Sequence, residues 1–238
     1  MRVLHVYKNA APFVRGGIEH MVSTLADGLC RLGCTSRIVS TTSRPDEAGA
    51  HAMGAEAREV ELFRSMANLS SCPVSWDLFR AYPRLVKDVD LVHLHLHWPF
   101  ADLLHVLRAP SKPFVVTYHS DVVRQVILKQ VYAPLRRALL SRAGAIVCTS
   151  AAYRDSSPVL ARLHRSASVR VIPIGICDPL EGRTSTSQPA FASRLPDRFL
   201  LFLGVLRYYK GLQFLLEAVA GTGMHVVIAG HGPLRADL

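Results

Sequence analysis

The chain has 238 residues, half of them hydrophobic and 19% charged, which supplies a buried core and excludes a disordered polymer. Lys and Arg outnumber Asp and Glu 28 to 18, a net charge of +10 that favours anionic partners: ligand phosphates, an anionic membrane face or nucleic acid. No apolar run approaches the roughly 20 residues that span a bilayer, and the N-terminus turns polar too soon for a secretory leader. The five scattered cysteines (Cys30, Cys34, Cys72, Cys148 and Cys177) argue against a disulfide framework and fit free thiols in a cytoplasmic protein.

In chain order, residues 3–7 read as a strand, 18–32 as a helix with Met21, Leu25 and Leu29 on one face, and 36–40 as a second strand. Gly33 is placed to end that helix before Cys34. Residues 58–63 are a candidate third strand, 74–86 a helix despite Pro83, 90–96 a strand, 101–107 a helix and 114–118 a strand. A helical stretch runs from 121 to about 141, and Pro134 should interrupt it, since proline suits the first turn of a new helix. Residues 145–148 read as a strand, 151–163 as a helix and 169–172 as a strand. Alternation of helices with strands that are apolar on both faces predicts a parallel sheet covered by helices.

Residues 175–196 change to Pro, Ser, Thr, Gly and Arg without periodicity and read as a linker. It separates a first domain, 1–174, from a second region, 197–238, where the pattern restarts: strand 199–205, helix 211–219, strand 225–229 and a helical turn from 233. Two strands and a helix are too little for a self-standing core.

Candidate chemistry gathers at strand-to-helix turns. Arg15-Gly16-Gly17-Ile18-Glu19 follows the first strand where a helix begins, and free N–H groups at a helix start attract phosphate. A tight turn is the plainer reading, and the absence of G-x-G-x-x-G weakens a dinucleotide enzyme. His119 stands just past the carboxyl end of the strand at 114–118, the edge that faces the ligand crevice in an open α/β sheet. In the run 90–97, period two aligns His93, His95 and His97 on one face. No Cys, Asp or Glu completes a ligand set nearby, so hydrogen bonds from these histidines to hydroxyls are expected rather than a metal.

In the second region, Arg207 and Lys210 bring two cations to a turn, where they suit a diphosphate, against the alternative of an exposed basic loop. Gly230-His231-Gly232-Pro233 gives another turn open to close approach by a nucleotide. Nucleic-acid binding is not expected, since the basic residues lack interleaved aromatics.

Taken in order, Gly16-Gly17-Ile18-Glu19, Thr117-Tyr118-His119-Ser120-Asp121, Val171-Ile172-Pro173-Ile174-Gly175-Ile176, Tyr208-Tyr209-Lys210-Gly211 and Gly230-His231-Gly232-Pro233-Leu234 resemble glycosyltransferase family 4, whose retaining enzymes have the GT-B fold of two Rossmann-like domains. The resemblance implies an α/β chain with a complete first domain and the opening β-α-β portion of a second. It implies a catalytic His119 against the donor sugar, donor binding by Gly16, Gly17, Arg207, Lys210, Gly230 and Gly232, and acceptor binding by His95, His97, Asp121 and Arg124. The family often has Arg directly after the strand-end glycine, where this chain has Val205; Arg207 is assigned the role if the strand persists.

Residues 117–124 most resemble the mannosyl- and rhamnosyl-type branch that builds surface polysaccharides, which implies a GDP-sugar donor, a saccharide or lipid-linked saccharide acceptor, and no metal or other cofactor. Arg124, Lys129, Arg136, Arg137 and Arg142 beside Val122, Val126, Ile127 and Leu139 would suit peripheral contact with the inner face of an anionic membrane, or simply a solvated helix face. The family's later E-x-x-x-x-x-x-x-E motif is not found by Leu238, so the expectation is a truncated chain without most of the nucleotide pocket.

Overall fold

The computed structural model describes residues 1–53, 58–122, 126–163, 169–176 and 190–236, and at 126–128 the backbone alone. Two compact units are Met1–Pro179 and Leu180–Leu238; most of the predicted linker lies outside the described residues, as does Cys177.

The first unit opens with β1 (Arg2–Val6), α1 (Gly17–Arg31) and β2 (Thr35–Thr42). Gly33, at φ +79°, takes the left-handed conformation that ends α1. Its N–H donates to the Cys30 carbonyl at 2.9 Å and that of Cys34 to the Leu29 carbonyl at 3.0 Å, a Schellman closure. There follow β3 (Gly49–Met53), β4 (Arg58–Arg64), a small hairpin of β5 (Ala67–Leu69) and β6 (Cys72–Val74), then α2 (Trp76–Lys87). Ser75 caps α2 by accepting from the Leu78 N–H at 3.2 Å. The rest is β7 (Leu91–Leu96), α3 (Pro99–Arg108), β8 (Phe114–Tyr118), α4 (Val126–Leu140), β9 (Ala145–Cys148), α5 (Ala151–Ser156), α6 (Leu160–Leu163) and β10 (Val169–Val171).

Two helix expectations are corrected. Pro134 does not interrupt its helix but lies inside α4; tertiary packing of Tyr132, Leu139 and Leu140 into the core outweighs the lost hydrogen bond. The predicted helix 151–163 is broken at Ser157, whose extended backbone (φ −72°, ψ 121°) is what a following Pro158 imposes. Ser157 Oγ accepts from the Leu160 N–H at 3.3 Å and so starts α6.

Among the described residues, eight strands form one sheet in the order β10-β9-β8-β7-β1-β2-β4-β3. Every pairing is parallel except β3 with β4, so the expected parallel sheet carries one antiparallel edge strand. One face packs Leu4, Val6, Leu94, Leu96, Val116 and Tyr118 beneath α2, α3 and α4. On the other, α1 lays Val22 and Ala26 over Ile38, Val60 and Leu62. No described helix is long and apolar enough to cross a membrane.

The second unit contains β11 (Phe199–Leu203), α7 (Leu212–Val219) and β12 (His225–Ala229), with β11 and β12 paired in parallel. The strand does not persist to Val205: β11 ends at Leu203, although the Gly204 N–H still donates to the Ala229 carbonyl at 3.0 Å.

Candidate functional site

Because β8, β7 and β1 are parallel neighbours, the residues that follow each of them emerge at one edge. Tyr7 follows β1, His97 follows β7 and His119 follows β8. The rings of Tyr7 and His119 lie 6.3 Å apart, and Asn9, two residues beyond Tyr7, donates to Glu19 Oε1 at 3.0 Å. The edge thus joins His119 to the start of α1.

At that start the two glycines differ. A side chain at Gly16 would meet Glu19 Oε2, its Cβ only 2.2 Å away, so Gly16 makes room for the buried Glu19 carboxylate. A Cβ at Gly17 would meet nothing within 4 Å, so Gly17 faces open space.

Sheet register explains the histidines. His5 is paired with His93, and His95 with Thr117, so all four share one face, and His119 follows Thr117 by two. Burial pushes the His5 and His119 imidazoles down to about 4 and those of His93 and His95 well below their ordinary value. His95, expected at the acceptor, is instead closed off. It is 1% exposed, with Nε2 3.3 Å from His5 Nδ1 and Nδ1 3.3 Å from His119 Nε2. Only through His119 can it bear on a ligand.

His97 does not share that face. It lies beyond the end of β7, where period two no longer applies, and its ring packs edge-on against Tyr118 at 4.9 Å and Tyr132 at 5.8 Å. Its Nε2 donates to the Ser120 carbonyl at 2.6 Å, while burial lowers its pKa to about 4. Asp121 accepts from the Tyr118 hydroxyl at 2.9 Å, which holds it beside the loop after β8. Arg124 lies outside the described residues.

Beneath this edge Asp102 is fully buried and accepts from the Tyr132 hydroxyl; burial raises its carboxyl to about 7, with that hydrogen bond pulling the other way. Of the proposed membrane-facing residues, Leu139 is buried and Arg136 turns inward over the Tyr132 ring at 5.7 Å, so neither is on a surface. Arg137 and Arg142 are exposed.

In the second unit Arg207 is exposed and precedes a 3₁₀ turn at Tyr208–Lys210; Lys210 Nζ lies 5.8 Å from the Tyr209 ring centre. With the strand already ended, the alternation that would put Arg207 on the same side as Val205 does not extend to it. Gly230 and Gly232 serve the backbone first. A Cβ at Gly230 would lie 1.8 Å from the Gly204 carbonyl oxygen, and one at Gly232 2.5 Å from that of Leu206. The loops after β11 and β12 meet there, the Leu206 N–H donating to the His231 carbonyl at 2.9 Å.

A hollow of about 330 Å³ lies at the opposite, amino edge of the sheet, lined in part by Arg2, Arg37 and Arg58. Each of these arginines is already paired, with Asp90, Glu59 and Asp27 respectively, which leaves it poorly suited to phosphate.

Sequence reading missed His5, Tyr7, Asp102 and Tyr132. A histidine alternating with aliphatics in the first strand was the available signal for His5, but its meaning depends on β1 lying beside β7.

Among known proteins, the chain is 37% identical over its whole length to a D-rhamnosyltransferase of Pseudomonas aeruginosa, covering 61% of that protein. It is 36% identical to the O-antigen chain mannosyltransferase C of Escherichia coli, covering 63%. The chain therefore spans about three fifths of the length of these curated relatives.

Among solved structures, sucrose-phosphate synthase of Thermosynechococcus elongatus matches 99% of the chain and 64% of its own, with a TM-score of 0.68 at 18% identity. The catalytic domain of starch synthase IV from Arabidopsis thaliana matches 99% and 69%, with a TM-score of 0.65 at 15% identity. These likenesses show the α/β fold of GT-B type. The profile of Glycosyltransferase Family 4 matches residues 15–178, well over half of the sequence, and the chain belongs to that family.

Proposed function

We propose that this chain is the acceptor-side domain and the beginning of the donor-side domain of a retaining hexosyltransferase of polysaccharide synthesis. It would move a mannose- or rhamnose-like sugar from a nucleoside diphosphate to a glycan or lipid-linked saccharide. The observation that carries the reading is the juxtaposition at the carboxyl edge of β1, β7 and β8: a half-buried His119 beside Tyr7, with the open Gly17 at the start of α1. Support for the sugar comes from the relatives, one named for D-rhamnose and one for mannose. These two sugars differ only at C6, which favours a donor of manno configuration and, with it, a GDP-sugar.

The chemistry asks for stabilisation of a departing diphosphate by fixed donors and cations. Gly17 at a helix start, and Arg207 and Lys210 in the second unit, are the groups proposed for it, without a metal. Gly230 and Gly232 would contribute by letting the loops after β11 and β12 close over the nucleotide. Asp121 and His97 would line the acceptor side. Arg137 and Arg142 would suit an anionic membrane holding a lipid-linked acceptor at the cytoplasmic face.

The 238-residue chain alone is expected to hold saccharide without transferring it, because its second unit pairs only two strands among the described residues. A non-catalytic nucleotide- or acceptor-binding fragment is thus the second reading. Incubation of the purified chain with labelled GDP-, UDP- and ADP-sugars and oligosaccharide acceptors tests both. No turnover, with saturable saccharide binding lost in His119→Ala, is the expected result. Measurable transfer overturns the fragment reading, and tight NAD binding without saccharide binding overturns the sugar reading.

A further inference from the structure

We infer that His95, closed at its far end by His5, holds His119 in a single tautomer, so that His119 meets its ligand as an N–H donor through Nδ1. This rests on the proposed function only for naming the ligand, an oxygen of a bound sugar.

The geometry is a chain of three rings. His5 Nδ1 lies 3.3 Å from His95 Nε2, and His95 Nδ1 lies 3.3 Å from His119 Nε2. The His95 and His119 ring planes are inclined by only 19° with centroids 5.5 Å apart, a separation that fits rings meeting edge to edge through an in-plane N–H, and His93 stacks on His95 at 4.2 Å. His93 stands outside the chain, because its own Nε2 is engaged with Thr117 Oγ1 at 2.7 Å. It acts as a wall that keeps His95 in plane.

Burial keeps all three rings neutral near pH 7. A neutral imidazole has one N–H and one lone pair, so contacts along the chain must alternate donor and acceptor. Only two arrangements satisfy both: all three protons on Nδ1, or all three on Nε2.

The end at His5 decides between them. His5 Nε2 is buried and finds no hydrogen-bond partner among the described residues. Buried N–H groups left without an acceptor are the rarest orphans in proteins, so the lone pair, not the proton, belongs there. His5 then donates from Nδ1 to His95 Nε2, and His95 donates from Nδ1 to His119 Nε2. The lone pair of His119 is consumed by that bond. What His119 turns toward a ligand is an N–H, which can bind an oxygen but cannot accept a proton from it.

A metal is the competing use of these rings, since one nitrogen from each of His5, His93 and His95 lies within 4.8 Å of the others. It is disfavoured because His95 already spends both nitrogens within the chain, and no carboxylate belongs to the group to offset a buried dication.

The test is long-range ¹H–¹⁵N correlation on the 238-residue chain labelled with ¹⁵N-histidine at pH 7.5, with His119 assigned by its loss in His119→Gln. The expected wild-type result is the Nδ1–H pattern at His5, His95 and His119 together. In His95→Leu, His119 loses its donor and is expected to move to a mixture of tautomers. A wild-type His119 carrying its proton on Nε2 overturns the inference whether or not the variant folds. So does an unchanged His119 in folded His95→Leu, which would mean that His95 only fills space. One equivalent of zinc chloride should leave the His5 and His95 signals in place, and their collapse onto a metal-bound pattern also overturns the relay. No substrate enters the measurement, so its outcome is independent of whether the chain transfers or binds sugar.

Discussion

The two units carry the same β-α-β alternation in sequence yet bury it to very different degrees. In the first, β7 and β8 lie between neighbours on both sides and under helices, and Leu94 is 1% exposed. In the second, β11 is as apolar, but Leu201 is 59% and Leu203 77% exposed among the described residues. Parallel strands need cover on both faces, and a two-stranded sheet with an eight-residue helix supplies little of it. An apolar strand reports that burial is required, not that it is achieved.

Acid should break the comparison most strongly. The first unit folds around buried neutral histidines, and those of the second, His225 and His231, are exposed. A base whose pKa falls on folding stabilises the fold above its ordinary value and ceases to do so as pH drops through the folded value. Each pH unit is worth about 1.4 kcal/mol, so protonating His5 alone between pH 6.5 and about 4 withdraws on the order of 3 kcal/mol. With His97, His105 and His119 lowered to about 4 as well, the first unit is expected to unfold cooperatively in that window. Both tryptophans, Trp76 and Trp98, belong to this unit, so their fluorescence reports it selectively. Intact Trp98 burial at pH 4 would show that the histidines do not govern its stability.

Core truncation sharpens the same contrast. Leu94→Ala empties a position between two sheet neighbours and is expected to cost about 2–5 kcal/mol, read from urea unfolding. Leu201→Ala, on a strand just as apolar, should change stability by less than about 0.5 kcal/mol. Equal costs would mean that β11 is covered in solution.

Much of the fold was legible because parallel strands buried on both faces leave continuous apolar runs, as at β8 and β9. The edge strand β3, Gly-Ala-His-Ala-Met, has no such run and exists through its antiparallel pairing with β4. The candidate edge was legible at His119 and Gly17, since a strand end and a glycine-marked helix start are local features. His5 was not, because its partner His93 lies in a strand far along the chain and becomes a neighbour only through the sheet order. Nor could sequence tell that Gly230 and Gly232 lie where a side chain would meet the Gly204 and Leu206 backbone, since that crossing depends on β11 lying beside β12.

Asp102 should respond to pH in the opposite sense to the histidines. Its folded pKa is raised to about 7, so its contribution is fully present below about pH 4 and is lost as pH rises through 7, when a buried charge must form. Asp102→Asn keeps an oxygen for the Tyr132 hydroxyl and removes that charge. It is expected to stabilise the first unit by roughly 1–3 kcal/mol more at pH 8 than at pH 5. Urea midpoints at the two pH values test this, and a variant destabilised equally at both would assign Asp102 a purely structural hydrogen bond.

The smallest effect concerns how a turn is held in the well-buried unit. Gly33 sits at φ +79°, and a Cβ there would meet nothing within 4 Å, so any cost of substitution comes from the backbone and not from crowding. Gly33→Ala is expected to cost about 1 kcal/mol, and Gly33→Asn distinctly less, since asparagine tolerates the left-handed region. Gly232 offers the opposite case, because its Cβ would lie 2.5 Å from the Leu206 carbonyl. If Asn proves as costly as Ala at position 33, the Schellman hydrogen bonds of Gly33 and Cys34, and not backbone conformation, are what ends α1.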